Sequence, residues 1–356
     1  MDEKRLDTSK LFSEYTLRNF SIKNRIVMPP MVCFGWSGSD GLVTEDHVRH
    51  YEARARGGTG LIIIEALTVK PEGRLVNTQL GIWSDGHKEG LKAIAEKCHD
   101  HGAVVIAQLN HAGLKTPKNI SNDAISPFEY RNSNTSARTM TLEEIDRTRE
   151  EFIRSAERIH EAGLDGVEIH GVHGYLLSQF ASSVLNHRKD GYGGSINARM
   201  RLACEIVQGI RSRVGDHFII GYRMGGNEPS LDDGLNIGRT LEACGVDILH
   251  VSSGFSDDTA PPVPDGFPYN WIVYCGTEIR KTVNVPVIVV NGIRTASQAL
   301  YLLDNGRADF TAVGRGLLTD PEWANKARSG QDVNPCLECH RCHWFKNGKD
   351  CPALKQ

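Results

Sequence analysis

Short runs of Val, Ile and Leu punctuate the chain at intervals, and longer amphipathic stretches separate them. Eight runs read as strands: Arg25–Met31, Leu61–Val69, Val104–Asn110, Gly166–Ile169, Phe218–Arg223, Asp247–Val251, Val285–Asn291 and Phe310–Val313. They are nearly continuous in apolar residues rather than alternating, as strands buried on both faces must be. Leu142–Ala162, Asn197–Val214, Gly234–Cys244 and Ala296–Asp304 carry helical spacing instead. Gly102, Gly163, Gly245 and Gly306 each stand between such a stretch and the next strand. That is where a helix end needs a left-handed residue. Eight β-α units predict an α/β fold, a (β/α)8 TIM barrel, with an open doubly wound sheet as the competing layout.

A barrel fixes where chemistry is expected, at the C-terminal ends of its strands. Special residues do gather there: Pro30 and Met31 after the first strand, Ala66 late in the second, Gln108 and His111 at the third. Arg223 ends the fifth, Ser252 and Ser253 follow the sixth, Gly292 the seventh, and Gly314 and Arg315 the eighth. The densest stretch follows the fourth strand, His170-Gly-Val-His173-Gly-Tyr175. Imidazoles can hold a carbonyl oxygen or negative charge, and a phenol can deliver a proton. The Gly314-Arg315 pair offers backbone amides and a guanidinium to a phosphate. His47, His50, His87, His99, His101, His160 and His217 read as ordinary satisfied polar residues, while His111 and His250 are open either way. The charge-rich stretch from Glu143 to Arg158 reads as a solvated helix face.

Composition narrows the classes. A formal charge of −3 implies neither a nucleic-acid nor a membrane-surface partner. No apolar run has the length of a membrane span, and the N-terminus lacks the apolar core of a secretory signal. A cytoplasmic location is the expectation. Of nine cysteines, Cys33, Cys98, Cys204, Cys244 and Cys275 are scattered, and four crowd into the last 21 residues. A reducing compartment disfavours structural disulfides, so the crowded set reads as a metal or cluster site.

Several segments together resemble the Old Yellow Enzyme family of FMN-dependent oxidoreductases, over roughly residues 10–328. They are Asn24-Arg-Ile-Val-Met-Pro-Pro-Met31, Gln108-Leu-Asn-His-Ala-Gly113, Glu168-Ile-His-Gly-Val-His-Gly-Tyr175 and Asn186-His-Arg-Lys-Asp-Gly-Tyr-Gly-Gly-Ser195, then Val289-Val-Asn-Gly292 and Val313-Gly-Arg315. The resemblance implies that Pro30, Met31, Val32, Ala66 and Gln108 line the FMN ring, with Ser253 beside it. It implies that Arg223 stabilises the reduced ring and that Gly292, Gly314 and Arg315 hold the phosphate. His170 and His173 would bind a substrate carbonyl, and Tyr175 would donate a proton. The implied reaction is NAD(P)H-dependent reduction of an activated C=C bond. Relatives carry Cys or Thr after the Pro-Met pair where this chain has Val32, with Cys33 next. Phe34 falls where some carry a substrate-contacting Tyr, and residues 254–271 match poorly and are expected to cover the substrate.

The tail reads Cys336-Leu-Glu-Cys339-His-Arg-Cys342, then Cys351-Pro352. Three thiols at spacing three plus a distal one suit a [4Fe–4S] cluster, with four-coordinate zinc, or no metal, as the rivals. The pattern resembles the tails of trimethylamine dehydrogenase and 2,4-dienoyl-CoA reductase, in which the cluster serves a second, dinucleotide-binding domain. No such domain follows here, so a cluster would need another route, such as an electron-transfer partner protein, or would be purely structural. Residues 1–330 then form the FMN-binding barrel and 331–356 a cysteine-rich extension. Amine oxidation or demethylation is the alternative activity, for which Trp36 and Trp271 would supply an aromatic bowl. An electron-transfer subunit is a third reading, and a homo-oligomer is left open.

Overall fold

The computed structural model of the chain describes residues 7–132, 135–254 and 257–355. The barrel strands are β1 (Ile26–Met28), β2 (Leu61–Thr68), β3 (Val104–Asn110), β4 (Gly166–Gly171), β5 (Ile219–Gly225), β6 (Ile248–Ser252), β7 (Val287–Val290) and β8 (Phe310–Ala312). Each pairs in parallel with the next, and β8 returns to β1 through Thr311 opposite Ile26 and Ala312 opposite Val27. That closing pair excludes the open sheet.

Alternation along a strand divides the core into two layers. Leu61 and Ile63 of β2 turn into the barrel, while Ile62 and Ile64 meet the helices outside. A short antiparallel hairpin, Tyr15–Leu17 with Phe20–Ile22, seals the N-terminal mouth, and its Leu17 and Ile22 join the inner layer. Each fully buried Leu or Ile contributes about 1.5–3 kcal/mol, so these layers dominate the stability. The rim at the opposite end is left for polar work.

Local chemistry explains where strand ends depart from the sequence expectation. β1 stops at Met28 because Pro29 and Pro30 bring no N–H to the ladder. β7 is bounded by Pro286 and by Asn291, which turns to φ +100°. β4 and β5 run further than expected, since pairing continues through Arg223 opposite His170 and Met224 opposite Gly171. Gly102, Gly163, Gly245 and Gly306 all take left-handed φ, from +63° to +97°.

The helix Leu142–Glu161 starts on a capping box between Thr141 and Glu144 and buries Ile145, Phe152, Ala156 and Ile159. Its acidic and basic residues stay on the other face. Before the helix Ile196–Val214, Ser195 accepts from the Ala198 N–H (3.3 Å), and Arg199 reaches back to the Gly194 and Ala181 carbonyls (2.7 and 2.8 Å). This helix packs beside Leu231–Ala243, and Cys204 of the first is disulfide-bonded to Cys244 just past the second, with Cα atoms 5.3 Å apart. The scattered-thiol reading is corrected for this pair, because helix packing joins positions 40 residues apart.

Residues 331–355 lie against the barrel. Asn334 is held at both ends, by Asp320 Oδ2 and by the Thr319 hydroxyl, each at 2.8 Å. Trp344 is buried with Cys33 and Leu318. Among the described residues, no helix is long and apolar enough to cross a membrane.

Candidate active site

The strand register brings His170 and Arg223 side by side, and the loop after β4 folds over them. His173 and Gly174 are both left-handed (φ +61° and +69°), which turns the His173 side chain back toward His170. His170 Nε2 lies 3.0 Å from His173 Nδ1, and His173 Nε2 lies 2.9 Å from the Ser252 hydroxyl. Arg223 contacts that hydroxyl at 3.5 Å. The two imidazoles and the Ser252 hydroxyl therefore form a continuous relay. Burial, then the Arg223 charge, holds both well below the usual imidazole range, so both are neutral. His170 Nδ1 is buried without a partner.

The Tyr175 ring packs edge-on against His170, with centroids 4.8 Å apart. Burial raises its phenol above the ordinary range, so it carries its proton at neutral pH. Lys115 donates to the His173 carbonyl at 2.7 Å and stands 5.5 Å from the Tyr175 ring centre. Behind the loop, Ser178 accepts from the Gly174 N–H (3.2 Å) and donates to Glu228 (2.9 Å). Glu228 is buried, its carboxyl pushed up to about 8. Lys115, Ser178 and Glu228 carry no sequence signal, since each acts through the fold. Ser252, which ends β6, makes the relay bond, and its neighbour Ser253 is half-buried beyond it.

Gln108 is held by Glu168 at 2.7 Å, and the other oxygen of Glu168 by His250 at 2.7 Å. His250 is thus a support for Gln108. His111 accepts from the Gly113 N–H at 3.0 Å and is pushed down to about 3 by burial, which makes it a neutral turn residue.

The rest of the rim offers donors and space to a flavin nucleotide. Arg223 is buried, its Nε has no partner, and no carboxylate touches it among the described residues. A desolvated cation in that state calls for an anionic or electron-rich neighbour. At the ends of β7 and β8, Gly292 (φ +75°) and Gly314 leave open space. A Cβ would meet only Asn270 at the first and Met31 and Pro29 at the second, all at 3.6 Å or more. Arg315 is exposed beside them, Pro30 and Ala66 are buried, and Met31 and Val32 are half-buried. The donor set fits a flavin nucleotide.

A second polar cluster was missed by the sequence reading. Cys33, His47 and Glu65 bring one ligand-type atom each within 4.8 Å of the others, all buried. His47 and His50, taken as ordinary histidines, are buried here against Trp36, with ring centres 5.5 and 5.2 Å away. Burial pushes Glu65 up to about 7 and His47 down to about 4. The tail covers this cluster: the Trp344 indole donates to the Val32 carbonyl at 2.7 Å, Phe345 packs on Phe34, and Lys349 pairs with Asp46. Phe34 is therefore engaged by the tail. Trp36 packs within this cluster, and Trp271 opens the helix Trp271–Arg280.

Of the tail thiols, Cys336, Cys339 and Cys351 are half-buried and Cys342 is exposed. Among the described residues, no three tail ligand atoms lie within 4.8 Å of one another. Zinc bonds of about 2.3 Å hold thiolate sulfurs less than about 4 Å apart, so a closed zinc site is not preformed there.

Residues 10–334 match the family described as NADH:flavin oxidoreductase / NADH oxidase. An NADH oxidase of Thermoanaerobacter brockii is 40% identical over 343 residues, 93% of this chain and 52% of that protein. An NADPH dehydrogenase of Halalkalibacterium halodurans is 39% identical, covering 89% of this chain and 94% of that one. An old yellow enzyme homologue from Zymomonas mobilis superposes with a TM-score of 0.81 at 26% identity, over 96% of this chain and 99% of the other. The chain spans about half the length of the first of these relatives.

Proposed function

Because the chain belongs to the NADH:flavin oxidoreductase / NADH oxidase family, we propose that it uses FMN and NAD(P)H to reduce an activated C=C bond. Pro30, Met31, Val32, Ala66 and Gln108 would line the ring, with Ser253 nearby and Arg223 at its electron-rich edge. Gly292, Gly314 and Arg315 would hold the phosphate. The chemistry FMN supplies when bound is acceptance of hydride from the nicotinamide and its delivery to the substrate β-carbon.

The observation that carries the reading is the relay ending at His170 Nδ1. Arg223 can only donate, which favours the Ser252 hydroxyl donating to His173 Nε2. His173 Nδ1–H then donates to His170 Nε2, and His170 presents Nδ1–H as a free donor. A neutral donor fixed in a buried site suits the enolate oxygen that develops as hydride arrives. Tyr175, neutral and packed on His170, is placed in the proposal as proton donor to the α-carbon. A fixed N–H donor suits an oxygen better than a protonated amine. Anaerobic titration tests the proposal: NADH or NADPH should bleach the flavin and an enone or enoyl thioester should restore its colour. Bleaching by an amine but not by a nicotinamide would refute it.

We also propose that Cys336, Cys339, Cys342 and Cys351 ligate a [4Fe–4S] cluster that exchanges electrons with a partner protein. Three thiols at a spacing of three with a distal fourth support this, because such a cluster takes four thiolates. Iron and acid-labile sulfide in protein purified without oxygen should each approach about four per chain for a cluster of this type. Absence of both would sink the idea.

A further inference from the structure

We propose that Cys33, His47 and Glu65 form a binding site for a single divalent transition-metal ion, Zn2+ by its donor set, separate from the tail thiols. The three come from different elements: the loop after β1, the helix Glu45–Arg56 and strand β2. All are fully buried. Their ligand atoms lie within 4.8 Å of one another, and His47 Nε2 is 3.6 Å from Glu65 Oε1. Metal bonds of about 2.0–2.2 Å at tetrahedral angles hold two ligand atoms about 3.4 Å apart. The separation found is therefore close to one edge of such a site.

Both facing atoms, His47 Nε2 and Glu65 Oε1, are buried and have no hydrogen-bond partner. Native interiors rarely leave such atoms unpaired unless water or an ion completes them. The remaining half of each ligand is already held. Glu65 Oε2 accepts from the Cys33 N–H at 3.0 Å, and His47 Nδ1 is 2.8 Å from the Thr44 hydroxyl. Such outer bonds orient ligands in metal sites. The Thr44 N–H also faces Nδ1, at 3.1 Å, which suits the metal-free tautomer. On metal binding the ring proton moves from Nε2 to Nδ1, which donates to the Thr44 hydroxyl oxygen, and the Nε2 lone pair is left for the ion.

Charge balance favours a divalent ion. A thiolate and a carboxylate neutralise two positive charges, so the buried unit is uncharged, and the thiol proton leaves to solvent on loading. A mixed sulfur, nitrogen and oxygen set selects zinc over magnesium or calcium. Three protein ligands leave a fourth position for water. Trp36 and Trp344 wall the cluster, so the ion would be structural and would pin the 31–36 loop to β2.

The test uses the full chain with Cys336, Cys339, Cys342 and Cys351 all changed to Ser, stripped with a chelator and titrated with Co2+. About one equivalent should bind, with tetrahedral d–d bands and a near-ultraviolet thiolate band, and adding Cys33→Ser should abolish that band. His47→Gln should weaken binding at least about tenfold. No cobalt spectrum with the tail thiols removed would overturn the proposal and leave water in the cluster. Should the fourfold variant fail to fold, zinc and iron are compared in the unaltered protein and in Cys33→Ser. Loss of about one zinc per chain with iron unchanged supports the site, and unchanged zinc overturns it. Flavin content, read separately by absorbance, keeps this outcome distinct from that of the proposed reductase.

Discussion

The two polar clusters of this protein are built in opposite ways. At the rim of β4 to β6, three of the participating residues lie within six positions of each other, and the others sit on adjacent strands in register: Arg223 opposite both His170 and His250. At the β1–β2 corner, Cys33, His47, Glu65 and Trp344 arrive from four separate segments, and the Trp344–Val32 bond closes a separation of 312 residues. A parallel ladder transmits register from strand to strand, so the rim is specified by local sequence plus pairing. The corner depends on a helix and a tail docking through apolar contacts. Proteins can therefore place buried polar groups by two routes, only one of which leaves a motif.

Breaking the rim should cost activity and leave the fold intact. Replacing His170 and His173 together by Ala should lower kcat/KM for an enone by about 10²–10³-fold, the usual worth of donors to a developing oxyanion, with flavin content unchanged. A smaller loss would show that the relay does not face the reacting oxygen. Breaking the corner should do the reverse. Trp344→Ala removes a buried indole and its bond to Val32, and should destabilise by about 3–5 kcal/mol in chemical denaturation, as large aromatic truncations do. Unaltered stability would mean that the tail is not docked in solution.

Glu228 sharpens the comparison through pH. Its folded carboxyl titrates near 8 against 4.5 for the ordinary group, because burial favours the neutral form. Between those values the folded state holds a proton that the unfolded state has lost. The contribution is therefore full below about 4.5 and falls as pH rises toward 8, by up to about 1.4 kcal/mol per pH unit. Glu228→Gln should flatten that part of the stability profile, measured by denaturant midpoints from pH 5 to 9. An unchanged slope would remove Glu228 as its source. The smallest effect is expected at Ser252→Ala, which removes the hydroxyl between His173 and Arg223 and should lower kcat about fivefold in steady-state assays, the equivalent of about 1 kcal/mol.

How far the sequence carries can be judged from particular residues. Eight apolar runs foretold eight strands, and the four helix-ending glycines all adopt the conformation assigned to them. The strand ends were less legible, because pairing partners decide how far a ladder continues, as at Gly171 and Gly225. His170, His173, Tyr175 and Arg223 were named from position alone. Their relay through Ser252 was not, because a left-handed turn at His173 sets the ring direction. The Cys204–Cys244 pair and the support of Gln108 by Glu168 and His250 likewise depend on contacts between distant elements.

The sequence by itself determined the barrel, the end of it where polar residues gather and the family, since periodicity, helix-ending glycines and contiguous motifs are local properties. The tertiary structure alone decided which polar groups meet. It linked His170 and His173 to Ser252, packed Phe34 and Trp36 against the tail, and gathered Cys33, His47 and Glu65. Side-chain direction and the docking of remote segments arise from packing in three dimensions, where neighbours need not be near in sequence.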